Sequence, residues 1–538
     1  MQDILFPYDS LRMFQSELID SVSNALKDKK NVIIHAPTGL GKTVGVLTPA
    51  LDFAVKNDLT VIFATPRHTQ HRIAIETLRE IKKKNNIELK VVDLIGKRHM
   101  CAQPSAEEMS NSEFYDFCHD VVKNKTCNFF NNIKNRDNLS LESESVIKNV
   151  SDNIMHVEEL KDVSKSSSLC PFEIACITGK KARVIVADYH HVLSGSIRDN
   201  LMEKLNKELS ECIIILDEAH NLPQKCRDLS SSQLSTSTLE FAAKECIDFN
   251  FIDAAGILNE IRVKIEELAE HKIKEDNEVL ISKDELNKLI DNIVKADQLV
   301  GDLFFISEEA IKVKKRSSCS TVAHFIENWQ GQDNGFTRFM NKSFNIKNKL
   351  IVTLNYRCLD PSLILSPISR DCYSMICMSG TLTPLEMYKD LFNINAIGYE
   401  FKNPFPKTNR VDIIVPDTTT KFTARNDEMF EKIAAYCASI VNSVPGNSIV
   451  FFPSYGLRDK INSYFGNKCE RTVLFESPNL SKQEKAELID NFKGYKRHGA
   501  VLLAVSSGSF GEGIDLQDNL LKCVIVVGIP LDRPDLET

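Results

Sequence analysis

This sequence has no long apolar run. Without a stretch of about 18 or more apolar residues there is no membrane-spanning helix to predict. The opening residues, Met1-Gln2-Asp3-Ile4-Leu5-Phe6-Pro7, lack the basic segment that begins a secretory signal. A cytoplasmic protein with no membrane partner is expected. An excess of basic charge is also absent: 66 Lys and Arg against 74 Asp and Glu leave a formal net charge of −8. That excludes a uniformly basic nucleic-acid binder, so any DNA site must be a local groove of Lys and Arg. No internal repeat or low-complexity tract occurs, and no exposed apolar heptad argues against a monomer. The 15 cysteines include no C-x-x-C pair of the kind zinc ribbons use.

What is present is ordinary globular material, 43% hydrophobic and 26% charged, in a 538-residue chain too long for one core. It is organised around Val32-Ile33-Ile34-His35 running into Ala36-Pro37-Thr38-Gly39-Leu40-Gly41-Lys42-Thr43. A buried strand, a glycine-punctuated turn and a helix start make a P-loop. Gly39 and Gly41 let backbone N–H groups turn around phosphate oxygens, Lys42 can reach the β/γ-phosphates of ATP, and Thr43 can hold Mg²⁺. Upstream, Gln15 is either a surface-helix residue or a reader of an adenine edge.

Val61–Ala64, Arg183–Asp188 and Cys212–Leu216 are further near-continuous apolar runs separated by helical patterns, which predict a parallel sheet covered on both faces. Thr65 and Arg67 follow the first run, at a strand end where ligands gather. The third leads into Asp217-Glu218-Ala219-His220. Adjacent carboxylates at the end of a buried strand are costly without a cation. Beside a P-loop, Asp217 would hold Mg²⁺ through water, Glu218 would orient and deprotonate the attacking water, and His220 would link the nucleotide to the rest of the chain.

Residues 97–178 are polar and poor in strand pattern, and carry Cys101, Cys118, Cys127 and Cys170. Their spacing alone fits an iron–sulfur cluster, Zn²⁺ or unrelated buried cysteines. Residues 228–345 read as mainly helical, with a capping box at Ser282-Lys283-Asp284-Glu285 and an apolar face through Leu286, Leu289, Ile290, Ile293 and Val294. The basic run Lys312, Lys314, Lys315 and Arg316 is a solvated face or a DNA contact. From 346 onwards a second α/β pattern is expected, with strands at Ile449–Phe452, Val501–Val505 and Val524–Pro530, and loops at Ser379–Pro384 and Gly511–Leu516.

This order of pieces resembles the superfamily 2 helicases, within them the XPD and DinG-like iron–sulfur group, and the archaeal XPD type in length and layout. The matching stretches are Phe6-Pro7-Tyr8 with Gln15, Ala36 to Thr43, Thr65-Pro66-Arg67, Asp217 to His220, Ser379 to Pro384, Phe451 to Tyr455 and Gly511 to Leu516. The resemblance implies an α/β chain of two RecA-like P-loop NTPase cores, with an inserted iron–sulfur domain and a helical arch domain. The corresponding boundaries are 1–96 with 179–227 for the first core, 97–178 for the iron–sulfur domain, 228–345 for the arch and 346–538 for the second core.

It further implies a [4Fe–4S] cluster on Cys101, Cys118, Cys127 and Cys170, with Lys97 supporting the cluster and a nearby DNA path. Ser379 and Thr381 would sense hydrolysis, and Gly513 and Asp515 would close the second core on the nucleotide. The implied activity is ATP-dependent 5′–3′ DNA helicase on single-stranded, forked or bubble DNA, with repair proteins as partners. Alternatives are a DinG-like enzyme of R-loops or recombination intermediates, a DNA-binding scaffold without motor activity, and a redox sensor. The sequence ends at Leu536-Glu537-Thr538, before the family's motif VI with its arginine fingers. The expectation is therefore a chain truncated there, which binds ATP and DNA and hydrolyses ATP poorly.

Overall fold

The computed structural model describes residues 4–106, 108–109, 111–274, 277–313, 317–345, 348–511, 516, 519–531 and 536. Two compact units are present, one built on residues 1–406 and the other on 407–534. Lys314, Lys315 and Arg316 of the basic run, and Gly513 and Asp515, lie outside the described residues. Among the described residues, no helix is long and apolar enough to cross a membrane.

The first unit is built on a seven-stranded parallel sheet. Its strand order is Ala396–Glu400, Asn31–His35, Ser374–Ser379, Cys212–Asp217, Thr60–Thr65, Val184–Asp188 and Val91–Leu94. Successive side chains in these strands point to opposite faces, and both faces are apolar. Ile33, Ile62 and Ile214 enter one core, while Val32, Ile34, Val61, Phe63, Ile213 and Ile215 enter the other with Leu18, Leu47 and Leu78 from covering helices. Among the described residues, no apolar core cluster is confined to 97–178. Ile133, Val146, Leu160 and Phe172 of this insertion pack into the same cluster as Ile185 and Leu216 of the sheet.

The boundary expected at 346 is corrected. Ser374–Ser379, buried along its whole length, pairs on one side with Asn31–His35 and on the other with Cys212–Asp217. The loop Ser379–Pro384 therefore belongs to the P-loop sheet, and the second unit begins at Lys407. A strand apolar on both faces, Met375-Ile376-Cys377-Met378, fits only the interior of a sheet, and the first sheet offered that place.

The segment 228–345 is mainly helical, and a sheet absent from the sequence reading joins it. Its five main helices, Thr236–Asp248, Ile252–Lys272, Lys283–Asp291, Ala296–Val313 and Ser318–Trp329, pack with an antiparallel sheet. That sheet runs in the order Ser232–Ser235, Leu350–Cys358, Phe336–Phe344, Glu278–Leu280, so the subdomain extends past 345 to Cys358. The capping box is present: Glu285 N–H donates to Ser282 Oγ at 3.2 Å and Ser282 N–H to Glu285 Oε2 at 2.8 Å.

The second unit holds a parallel sheet ordered Thr472–Phe475, Ala500–Val505, Asn447–Phe452, Leu521–Val526. Ser454 caps the helix Tyr455–Phe465 by accepting the Leu457 N–H.

Candidate functional site

Parallel strands send all their C-terminal loops to one edge of the sheet, and the site is assembled there. Gly39 and Gly41 adopt φ of 91° and 85°, which favour glycine, and the helix Lys42–Lys56 starts directly after them. The loop is held from outside by the first helix. Gln15 is buried; its Nε2 donates to Gly41 O at 3.3 Å and its Oε1 accepts the Arg12 N–H at 3.0 Å. The Arg12 guanidinium donates to Gly39 O at 3.0 Å. Arg12 is a P-loop support that spacing did not reveal.

Lys42 Nζ lies 4.0 Å from Glu218 Oε1. Ser379, at the end of the intervening strand, joins the two neighbouring loops. Its Oγ donates to Glu218 Oε2 at 3.1 Å, and His220 Nδ1 lies 2.7 Å from the same Oγ. Thr381 N–H also donates to it at 3.3 Å, and the Ala36 N–H of the P-loop donates to Ser379 O at 3.0 Å. Gly380 permits this approach: a Cβ there would lie 3.3 Å from Lys42 Nζ and 3.6 Å from Thr38 Oγ1.

Asp217 is buried, and burial followed by the neighbouring Glu218 charge pushes its carboxyl up to about 7, although Lys42 and the Glu218 N–H act in the opposite sense. Such a carboxylate gains most from a cation, so the donor set of Asp217 with Thr43 at the helix start fits Mg²⁺. Behind it the fully buried Tyr189 donates its hydroxyl to Asp217 O.

Thr65 is buried and turned inward. Its hydroxyl accepts the Arg67 N–H at 3.2 Å and donates to Gln70 Oε1, so it shapes the turn, while Arg67 is the exposed member of the pair.

Away from this edge, Cys101, Cys118, Cys127 and Cys170 line one pocket with Lys97, Phe114, Phe130 and Phe172. Among the described residues, no three His, Cys, Asp or Glu side chains stand at metal-holding positions. The chemistry of the donors nevertheless suits a thiolate-bound metal group. Burial pushes the Cys170 thiol up to about 12, while its Glu173 N–H and Lys97 favour the thiolate. Cys101 is raised by burial first, with Cys118 and Cys127 adding to the rise, and Gln103 Nε2 lies 3.7 Å from Cys127 Sγ. Converging thiols of this kind are stable as thiolates only around a cationic centre.

In the second unit, Glu476 is fully buried and holds the loop that leads towards Gly513 and Asp515. It accepts the Val505 N–H at 2.8 Å and the Ser509 N–H.

The DEAD_2 family model matches residues 63–239, and that of the helicase C-terminal domain matches residues 437–538. The ATP-dependent DNA helicase XPD of Sulfolobus acidocaldarius is 28% identical over 98% of this chain and 86% of its own length. The general transcription and DNA repair factor IIH helicase subunit XPD of Dictyostelium discoideum is 22% identical over 98% of this chain and 79% of its own. A solved XPD helicase structure shares the fold with a TM-score of 0.65, at 23% identity over 98% of this chain and 87% of that one. With the P-loop, the Asp217–His220 loop and the Ser379 bridge assembled on one sheet edge, these matches support an XPD-like superfamily 2 helicase.

Proposed function

We propose that this chain is an ATP-driven helicase that moves 5′ to 3′ along single-stranded DNA and opens forked or bubble DNA in repair of the nucleotide-excision type. The reading rests on the family and on one observation, the contacts through which Ser379 joins the P-loop to the Asp217–His220 loop. Lys42 and the P-loop N–H groups bind the triphosphate, and Glu218 takes the proton of the attacking water. Ser379 and His220 hold the Glu218 carboxylate and feel its change of charge, and Thr381 passes that change to the DNA-binding surface. Mg²⁺, held by Thr43 and Asp217, supplies charge neutralisation at the phosphates. Gln15 keeps an N–H for the adenine edge, while Gly513 and Asp515 act from the second RecA-like core. Arg67 and Lys97 line the DNA path.

Residues 97–178 are an iron–sulfur domain in which Cys101, Cys118, Cys127 and Cys170 hold a [4Fe–4S] cluster. Bound there, it would staple together a segment whose buried apolar residues pack into the core of the sheet. The helical subdomain after it, ending at Cys358, is the arch. Repair factors of the kind named for the Dictyostelium relative are the partner class.

The test is anaerobic purification with iron and sulfide analysis of the wild type and Cys127→Ser, together with ATP binding and hydrolysis by the wild type and Glu218→Gln. About four irons and four sulfides that fall in Cys127→Ser support the cluster. Nucleotide binding kept with hydrolysis lost in Glu218→Gln supports the motor. Zinc in place of iron, or equal hydrolysis in both proteins, would refute the corresponding half.

A further inference from the structure

Two cysteines outside the site stand against each other in the helical subdomain. Cys246 on the helix Thr236–Asp248 and Cys319 on the helix Ser318–Trp329 are both fully buried, and their Sγ atoms are 3.5 Å apart. They lie 73 positions apart in sequence and bracket the excursion that contains Ile252–Lys272, Lys283–Asp291 and Ala296–Val313.

Their approach is fixed from both sides. Glu245, next to Cys246 and itself buried, receives the Ser318 N–H at 2.8 Å and the Ser317 hydroxyl, which anchors the start of the second helix beside the first. Cys319 Sγ lies 3.6 Å from Ala242 O, one turn before Cys246. The contact with Cys319 also draws the Cys246 thiol below its ordinary range, the direction that makes it the nucleophile of the pair.

We propose that Cys246 and Cys319 are a thiol–disulfide pair, oxidised by peroxide to a bridge that ties the two ends of the subdomain's helical excursion. The Cys246 thiolate attacks one peroxide oxygen, the O–O bond breaks, and a sulfenic acid forms with release of hydroxide. The Cys319 sulfur then attacks Cys246 Sγ and expels the second oxygen. The two thiol protons end on the two oxygens, so two thiols lose two electrons and one peroxide becomes two waters. Peroxide is little larger than water and reaches a buried pair through local opening. From 3.5 Å the sulfurs must close by about 1.5 Å to reach bonding distance, which side-chain rotation supplies.

The test treats the whole chain with hydrogen peroxide, blocks remaining thiols after unfolding and maps non-reduced peptides by mass. A peptide joining Cys246 to Cys319 that accumulates with dose, disappears with dithiothreitol and is absent in Cys319→Ser supports the bridge. Recovery of both thiols fully alkylated, or a spread of mixed pairings with no preference for this one, would overturn it. A melting temperature raised by peroxide in the wild type and unchanged in Cys246→Ser is the second readout. An equal response in the two proteins would count against the pair.

Discussion

His71 is fully buried, with Asp93 Oδ1 2.6 Å from its Nδ1 and Asp188 Oδ1 3.4 Å from its Nε2. His68 shares Asp188 at 3.2 Å, and His156 stands 3.8 Å from the other oxygen of Asp93. The same two carboxylates accept the N–H groups of Gly96 and Val157, so this imidazole secures the insertion to the sheet at two points. Burial alone would lower its basicity, but the carboxylates of Asp188 and Asp93 outweigh burial and hold it up at about 9. A folded pKa above the unfolded 6.5 means that the folded state keeps a proton the unfolded state gives up. The stabilisation is complete below pH 6.5 and is lost as the pH rises towards 9. His156 and His191 are shifted downwards by burial and act at lower pH. Between pH 6.5 and about 8.5 the contribution of His71 to stability should fall by about 2 kcal/mol. Urea midpoints measured across that range would show it, and His71→Gln should flatten the slope; an undiminished slope in the variant would exclude His71 as its source.

At the scale of elements, the helical subdomain has its own core, centred on Leu258, Leu303, Trp329 and Leu354. Leu303→Ala should cost about 2–5 kcal/mol through the cavity it leaves. Because that cluster is separate from those of the sheet, the loss should appear as faster amide exchange in residues 236–358 and leave the exchange of the strand Asn31–His35 unchanged.

The elements also show what could be read beforehand. The P-loop, the Asp217–His220 loop and the capping box were legible because each is a local device, complete within a few residues. Val91–Leu94 escaped notice because Asp93 interrupts its apolar run, and that carboxylate is tolerated only because His71, 22 residues away, meets it. Phe336–Phe344 mixes Arg338, Asn341 and Lys342 with its aromatics, yet Arg338 is buried over Tyr356 with three backbone carbonyl contacts, a partnership only the fold creates. The loop Ser379–Pro384 reads from the sequence as part of the second core, since chain order does not reveal that the chain returns to its first core after the insertions.

At the scale of the molecule, two compact units with separate cores predict two thermal transitions. Magnesium and ADP should raise the one that contains Lys42, by about 2.7 kcal/mol at a hundred times Kd. Calorimetry of the wild type and Lys42→Ala tests this: a shift that survives in the variant would place the nucleotide elsewhere.

The strand that opens the P-loop has two neighbours in its sheet, Ser374–Ser379 and Ala396–Glu400, and Met375 N–H reaches back 344 positions to Asn31. During synthesis, Val32, Ile33 and Ile34 therefore leave the ribosome long before either pairing partner exists. At roughly 5–20 residues per second, the wait is on the order of 20–70 s. Both insertions can take shape within that time, and the nucleotide pocket is closed last, so a ribosome stalled before residue 374 should carry a chain with folded insertions and no ATP site.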